Sequence, residues 1–583
     1  MEKRAVLAFV LIIGVWVAYY YLVYPSLAPP PDTVPSPNSV PAASIDSASV
    51  AGASVMTPTG KTEAPTAVSA SPSAASVTPG LGVPTPLSQD GWDRQEQLRL
   101  LENDSTETVS RRQIVIESDY FRGVFDTEGG VIRSWKLKKY RGVGEPWVEI
   151  IPEGREYGPD VIITTEEGPL SFSKLVFQSD SQDTRVDATR SQATIEFRGL
   201  TTSGLRIIKR YLFDYNNYAF KLDIELSGGD SLPLGSKYYV RWGGGVRITE
   251  SDWTQDVAAF RGFAMLGDTV IDQDIGSSVE DPKPEDSGEA KWVGVRSKYF
   301  LAAVIAKSRS GKGVRLNGRP ITEGTVQDRQ ISAEISMGLA GTVRDEFLMY
   351  LGPVHYDTVE AYGVGLENTV DLGWSFIRPV SGFVLNLLVW LHQYISNYGL
   401  VIILLSIIVK VVLFPLTYKS MKASQDMQQL QPKIEALREK FKSDAQKLNQ
   451  EMMKLYRESG VNPLGGCLPL VLQMPILYAL YAIFSSTIEL RDAPFVAWIV
   501  DLSLKDHFYV LPILMGVTMF IQSKMSMKDP RQAMFIYIMP VMLFFFMKDL
   551  PSGLILYWTM VNILTILQQV IQERFLPSSP VAT

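Results

Sequence analysis

Cysteine is nearly absent from this chain. Its one copy, Cys467, cannot close an intramolecular disulfide, so no disulfide framework holds the fold together. Histidine is scarce, with three in 583 residues. No GxxxxGK(S/T) run occurs, which excludes a phosphate-cradling P-loop. A basic excess is lacking too: the formal net charge of −7 leaves no global nucleic-acid footprint, and no DNA partner is expected. Charge is also missing from several long runs of the C-terminal half, a split that the overall hydrophobic share of 46% conceals.

One of those runs contains an exception. Lys410 interrupts residues 398–416, YGLVIILLSIIVKVVLFPL. At about 1.5 Å of rise per helical residue, Lys410 lies roughly 13 Å from the next basic residue, Lys419. A charge at such depth costs about 2.5–3.5 kcal/mol on insertion scales, so it marks a functional site by default.

The chain reads as several segments. Residues 1–24 form an apolar run behind Lys3 and Arg4, closing in Trp16, Tyr19, Tyr20, Tyr21 and Tyr24. The run is too long for a signal-peptide core and ends in an aromatic belt, so an uncleaved anchor with its N-terminus inside is expected. Residues 25–110 should be a disordered linker; 13 prolines fall within 25–90, amid Ser, Ala, Thr and Val.

Residues 111–370 carry short, alternating runs separated by Gly, Asp and Asn turns. Examples are 113–117, 193–198, 205–212, 218–226, 237–242 and 299–305. This is an all-β pattern, a large antiparallel sandwich with a short helix at 357–368. No catalytic constellation is visible in it. His355 lies near but has no evident partner, so a structural or spacing role is expected, with a sugar- or peptide-binding cleft as the alternative.

Residues 371–395 read as an interfacial amphipathic helix with Trp374, Arg378, Trp390 and His392. Residues 396–573 hold five candidate spans, at about 396–418, 465–488, 508–526, 533–548 and 552–572. Nine basic residues fall between the first two: Lys419, Lys422, Lys433, Arg438, Lys440, Lys442, Lys447, Lys454 and Arg457. Lys524, Lys528 and Arg531 lie in a later loop, and the alternate connections hold only Arg491, Lys505 and Lys548. The positive-inside rule places 419–464 and 524–532 in the cytoplasm and the β domain outside. Both termini are then inside, including the short tail 574–583. A large outside domain without cysteine pairs fits a Gram-negative periplasm.

Residues 419–460 show apolar 3–4 spacing at Met427, Leu430, Ile434, Leu437 and Phe441, and again at Leu448, Met452, Leu455 and Tyr456. An antiparallel helical hairpin follows. Its basic surface either sets topology or contacts anionic lipid, ribosomal RNA or protein.

Five segments carry a family signature: QPKIEALREK (431–440), VNPLGGCLPLVLQMPILYALY (461–481), ELRDAPFVAWIVDLS (489–503), LPILMGVTMFIQSKMS (511–526) and PSGLILYW (551–558). They closely resemble the YidC/Oxa1/Alb3 membrane protein insertases, and the layout resembles the long Gram-negative form. The resemblance implies a multi-domain membrane protein. It would have an all-β periplasmic supersandwich, an α-helical membrane core of five helices and an N-terminal anchor helix. It further implies a non-enzymatic insertase and folding chaperone of the inner membrane, without cofactor or metal, working alone or with the Sec translocon. The implied partners are nascent membrane proteins, the lipid bilayer, the ribosome and the signal recognition machinery.

The family's core forms a positively charged groove open to cytoplasm and lipid, and its usual arginine aligns with Lys410. Lysine keeps the charge but loses the bidentate fork. By motif position, Ser406, Gln473, Gln522, Trp558 and Asn562 are further groove residues. Each has an alternative role in helix–helix contact. On the hairpin, Lys433, Arg438, Lys440 and Lys442 are the expected ribosome or targeting contacts, because the tail holds only one basic residue, Arg574. Two other functions compete: a transporter using Lys410 as counter-ion, and an anchored carbohydrate-binding or sugar-modifying protein.

Overall fold

The computed structural model describes residues 110–575 apart from 167, 182–183, 229–233, 275–283, 324–325, 375, 443, 461–467 and 527–532. The expected anchor 1–24, nearly all of the linker 25–110, Cys467 and most of the tail lie outside the described residues.

Alternating sequence makes the β domain. In Arg206–Phe213 (RIIKRYLF) every second side chain is buried, the period-2 signature of a strand with one face on a core. Gln113–Glu117 is a strand as expected, and Ala193–Leu200, Arg206–Phe213, Ala219–Ser227, Leu234–Trp242 and Phe300–Ala306 fall within a few residues of their expected bounds. The strands build two sheets. The smaller has five, in spatial order Val148–Glu149, Val131–Leu137, Phe121–Asp126, Gln113–Glu117 and Arg185–Asp187. Only its last pair is parallel. The larger has 14 described strands in antiparallel pairs.

Aromatic side chains fill the space between the sheets. Phe121 stacks on Trp135 at 4.1 Å, Phe125 meets Tyr211 edge-on at 4.8 Å, and Trp135 reaches Phe220 at 5.1 Å. Such pairs add about 0.5–1.5 kcal/mol each beyond their buried area. Charged side chains are buried as well, and Lys209 shows how one is satisfied. Lys209 is buried, and its ammonium donates to the carbonyls of Gly129 at 2.8 Å and Pro159 at 2.9 Å.

Two short helices belong to this domain, α1 (Trp253–Ala259) and α2 (Tyr356–Glu360). The single helix expected at 357–368 is two pieces, because Gly363 and Gly365 adopt φ of 64° and 83° and end the first. A 3₁₀ turn, Leu366–Thr369, follows.

The C-terminal part is helical: α3 (Arg378–His392), α4 (Tyr398–Val412), α5 (Phe414–Lys440), α6 (Ala445–Glu458), α7 (Leu468–Ser486), α8 (Val510–Ser526), α9 (Ala533–Met547) and α10 (Ser552–Phe575). Pro379 occupies the first turn of α3, where its missing N–H costs nothing. That helix buries Val384, Leu385, Leu388 and Leu391 and leaves Phe383 and Trp390 exposed.

The continuous span expected at 396–418 is broken. Helix α4 ends at Val412, and α5 departs at 64° with Pro415 in its first turn. Among the described residues, Ser552–Gln572 is the one helix that is long and apolar enough by itself to cross a membrane. The bent pair α4–α5 would make a second, while Val510–Met525 and Ile536–Met547 are apolar but shorter.

One loop, 487–509, gathers three helix starts. Asn397, the cap of α4, donates from Nδ2 to Phe495 O at 2.9 Å. Asp506 accepts from the Leu511 amide of α8 at 2.8 Å, and the Ser552 amide of α10 donates to Leu504 O at 2.7 Å. Helices α4, α8 and α10 therefore start at one level and run the same way. The loop holds three non-glycine residues at positive φ, Asp492, Ala497 and Tyr509. Each conformation costs about 1–3 kcal/mol and persists only where contacts over-determine it. Some of those contacts come from the β domain. Arg491 is 2.9 Å from Glu250 and donates to Arg141 O at 2.8 Å. His355, which has no partner legible in the sequence, contacts Glu489 and the Tyr140 hydroxyl, both at 3.1 Å.

Candidate substrate groove

Helix α10 packs against α4 and α8, and its polar residues fall on one side. Trp558, Asn562, Thr565 and Gln572 follow 4-, 3- and 7-residue steps, which superpose on a helix face. Gly553 lets α4 approach closely: a Cβ there would lie 3.3 Å from Ile402 Cδ1. Below that contact, Lys410 of α4 meets α10. Its Nζ donates to Thr565 Oγ1 at 2.8 Å. One turn further, Gln568 Nε2 reaches Thr417 Oγ1 at 3.5 Å. From α8, Thr518 accepts from Asn562 Nδ2 at 3.3 Å, and Gln522 follows one turn later.

These contacts place Lys410 by register. It lies 12 residues after Tyr398 and Thr565 lies 13 after Ser552, so the pair sits about 18–20 Å from the shared helix starts. It is also in the last turn of α4, where a cation complements the unpaired carbonyls of the helix end. No described carboxylate is within ion-pair distance of it. A half-buried cation with a neutral hydroxyl as its partner has charge left over for an incoming acid.

The expected groove residues differ in availability. Ser406 is completely buried, and its hydroxyl donates to Ile402 O at 2.8 Å, so it serves the interior of α4 rather than an open surface. Asn562 is buried and bonded to Thr518. Gln473, Gln522 and Trp558 are half-buried. Gln473 lies beside the buried Tyr557 hydroxyl without a formed hydrogen bond, and Gln522 Oε1 is buried without a partner. Sequence reading missed Thr417, Thr518, Thr565, Gln568 and Gln572. For Thr565, Gln568 and Gln572 the one signal was the 3–4 spacing of polar residues along 552–572; Thr417 and Thr518, on other helices, had none.

Away from this face, α5 and α6 form the expected hairpin. Leu430, Ile434 and Met452 are buried, with Met427, Leu437, Leu448, Leu455 and Tyr456 around them. Phe441 stands outside that cluster, flanked by Lys440 and Lys447, each 5.6 Å from its ring. Lys433, Lys440 and Lys442 are exposed and Arg438 is half-buried. A cleft of ≈ 350 Å³ between the two helices is lined by Lys433, Lys440 and Lys454 but also by Glu451 and Glu458. No group of three or more potential metal ligands occurs among the described residues.

A large β domain joined to apolar helices that hold an interior cation is the architecture of a membrane protein of two parts. Residues 113–380 match the family model described as the YidC periplasmic domain, and residues 390–579 match that of the 60Kd inner membrane protein. The membrane protein insertase YidC of Geotalea daltonii is 37% identical over 477 residues, 81% of this chain and 88% of the relative. That of Pelodictyon phaeoclathratiforme is 34% identical over 476 residues, 78% and 81% of the two chains. A crystal structure of an active YidC insertase with its first transmembrane domain resolved aligns over 79% of this chain and 92% of its own, at 20% identity and a TM-score of 0.36. The chain belongs to the YidC family of membrane protein insertases, inner-membrane proteins whose activity is not enzymatic.

Proposed function

We propose that this insertase moves polar segments of nascent membrane proteins along the face formed by α4, α8 and α10, with Lys410 as the attracting charge. The uncompensated Lys410 ammonium carries this reading. In a low-dielectric setting its pull on a carboxylate is several times stronger than in water. A translocating segment with acidic residues is drawn to it, and the client's apolar helix then leaves into lipid, where burial stabilises it. No bond is made or broken. The basic hairpin and the 524–532 loop face the cytoplasm in this reading, and the β domain lies in the periplasm. Lys433, Arg438, Lys440 and Lys442 then offer the ribosome or targeting machinery a contact. The protein works alone or beside the Sec translocon and also assists folding of its clients.

The test is complementation of a depletion strain. Lys410→Ala should impair insertion, and Lys410→Arg should not. Normal growth and insertion with Lys410→Ala as the sole copy would sink the electrostatic role.

A further inference from the structure

We propose that Thr565 is a positioning residue for Lys410, fixing where the groove's charge is presented. The inference rests on the groove reading above and deepens it. Lysine is a compact charge on a flexible four-carbon stem, without the planar fork that pre-orients arginine. A lone lysine would spread its charge over many rotamers. Here one partner restricts it: Lys410 Nζ donates to Thr565 Oγ1 at 2.8 Å across two helices.

The Thr565 oxygen is itself held. Its hydroxyl donates to Val561 O at 2.6 Å, the back-bond that a helical threonine readily makes to the preceding turn. With its proton committed, Oγ1 can meet the ammonium only as an acceptor. The chain of two hydrogen bonds polarises it for that role. An ammonium has three N–H donors. Thr565 takes one, and no other protein partner of Lys410 occurs among the described residues, so two remain for a substrate carboxylate or carbonyl. A carboxylate in the place of Thr565 would neutralise the cation; a neutral acceptor orients it and leaves the charge intact.

The experiment measures insertion of a client with an acidic translocated segment by the full chain, normalised to its level in the membrane. Thr565→Val keeps the β-branched shape and removes the oxygen; Thr565→Ser keeps the oxygen. Each is made with Lys410 and with Lys410→Ala. Thr565→Val should lower insertion roughly three- to tenfold, as for loss of a hydrogen bond of ordinary net strength, and Thr565→Ser should stay close to wild type. With Lys410→Ala in place, Thr565→Val should change nothing further, because there is no ammonium left to hold. The proposal is overturned if Thr565→Val is silent, if Thr565→Ser fails equally, or if Thr565→Val is as harmful without the lysine as with it. In those cases Lys410→Ala still impairs insertion and the groove reading stands. Full insertion by Lys410→Ala would instead remove the groove reading, and this inference with it.

Discussion

Replacing Arg491 by alanine should release the β domain from the loop that seats the starts of α4, α8 and α10. The Arg491 side chain is 4% exposed and that of Glu250 is 10% exposed. The guanidinium serves Glu250, Arg141 O and Asp492 together, and lies over the Phe300 ring at 5.7 Å. Losing one partner of a buried ion pair costs about 3–5 kcal/mol, mostly from the stranded charge. At about 1.4 kcal/mol per factor of ten, local opening of residues 487–509 should rise by roughly a hundredfold or more. Hydrogen exchange of that loop in the full chain reads this directly. Glu250→Gln in the same molecule should recover much of the protection, because no charge is then stranded. The effect also has a pH signature. Burial lifts the Glu250 carboxyl above its ordinary value of 4.5, and Arg491 pulls it back. Without Arg491 the folded carboxyl moves higher still, so the docked state binds protons that the open state does not. Docking is then strongest in acid and weakens as pH rises through the folded value. The deficit of Arg491→Ala should therefore shrink as pH falls toward 5. Exchange within threefold of wild type, or a deficit that grows in acid, would refute the reasoning.

Two further substitutions test the packing. Burial lowers the Lys209 ammonium from 10.5 to about 8, which costs stability below pH 8 and is relieved between there and 10.5. Lys209→Met should nonetheless destabilise the β domain by about 2–4 kcal/mol, seen as a lower midpoint of its thermal unfolding, because two buried carbonyls lose their donor. In α4, a Cβ on Gly399 would lie 2.0 Å from the Phe495 ring. Gly399→Ala should cost about 1–3 kcal/mol of overpacking and raise protease cleavage within 487–509.

The two-part architecture and the central cation were legible because each has a local signature. Period-2 alternation marks a strand wherever it occurs, and a lysine in an apolar run is conspicuous without any partner. Thr565 had only its place in the polar spacing of its helix: a threonine there is ordinary, and its contact with Lys410 exists only through the register of two helices, at positions 155 residues apart. The same holds for His355, whose contact with Glu489 joins positions 134 residues apart. Pro415 is the mark of the break at Leu413 that the expected span 396–418 passed over, since proline favours the first turn of a new helix as much as it disfavours the interior of an old one. Ser406 shows the opposite limit. Motif position put it on the groove, while the i−4 back-bond that any helical serine can make turned it inward.

Insertion into liposomes holding purified protein as their only protein tests the central claim most directly. The client is a short membrane protein made with either an acidic or a neutral translocated segment. Wild type should insert both, and Lys410→Ala should lose the acidic client severalfold while keeping more of the neutral one. Equal insertion of the two clients by Lys410→Ala, at wild-type rates, would contradict an account that rests on the charge at position 410.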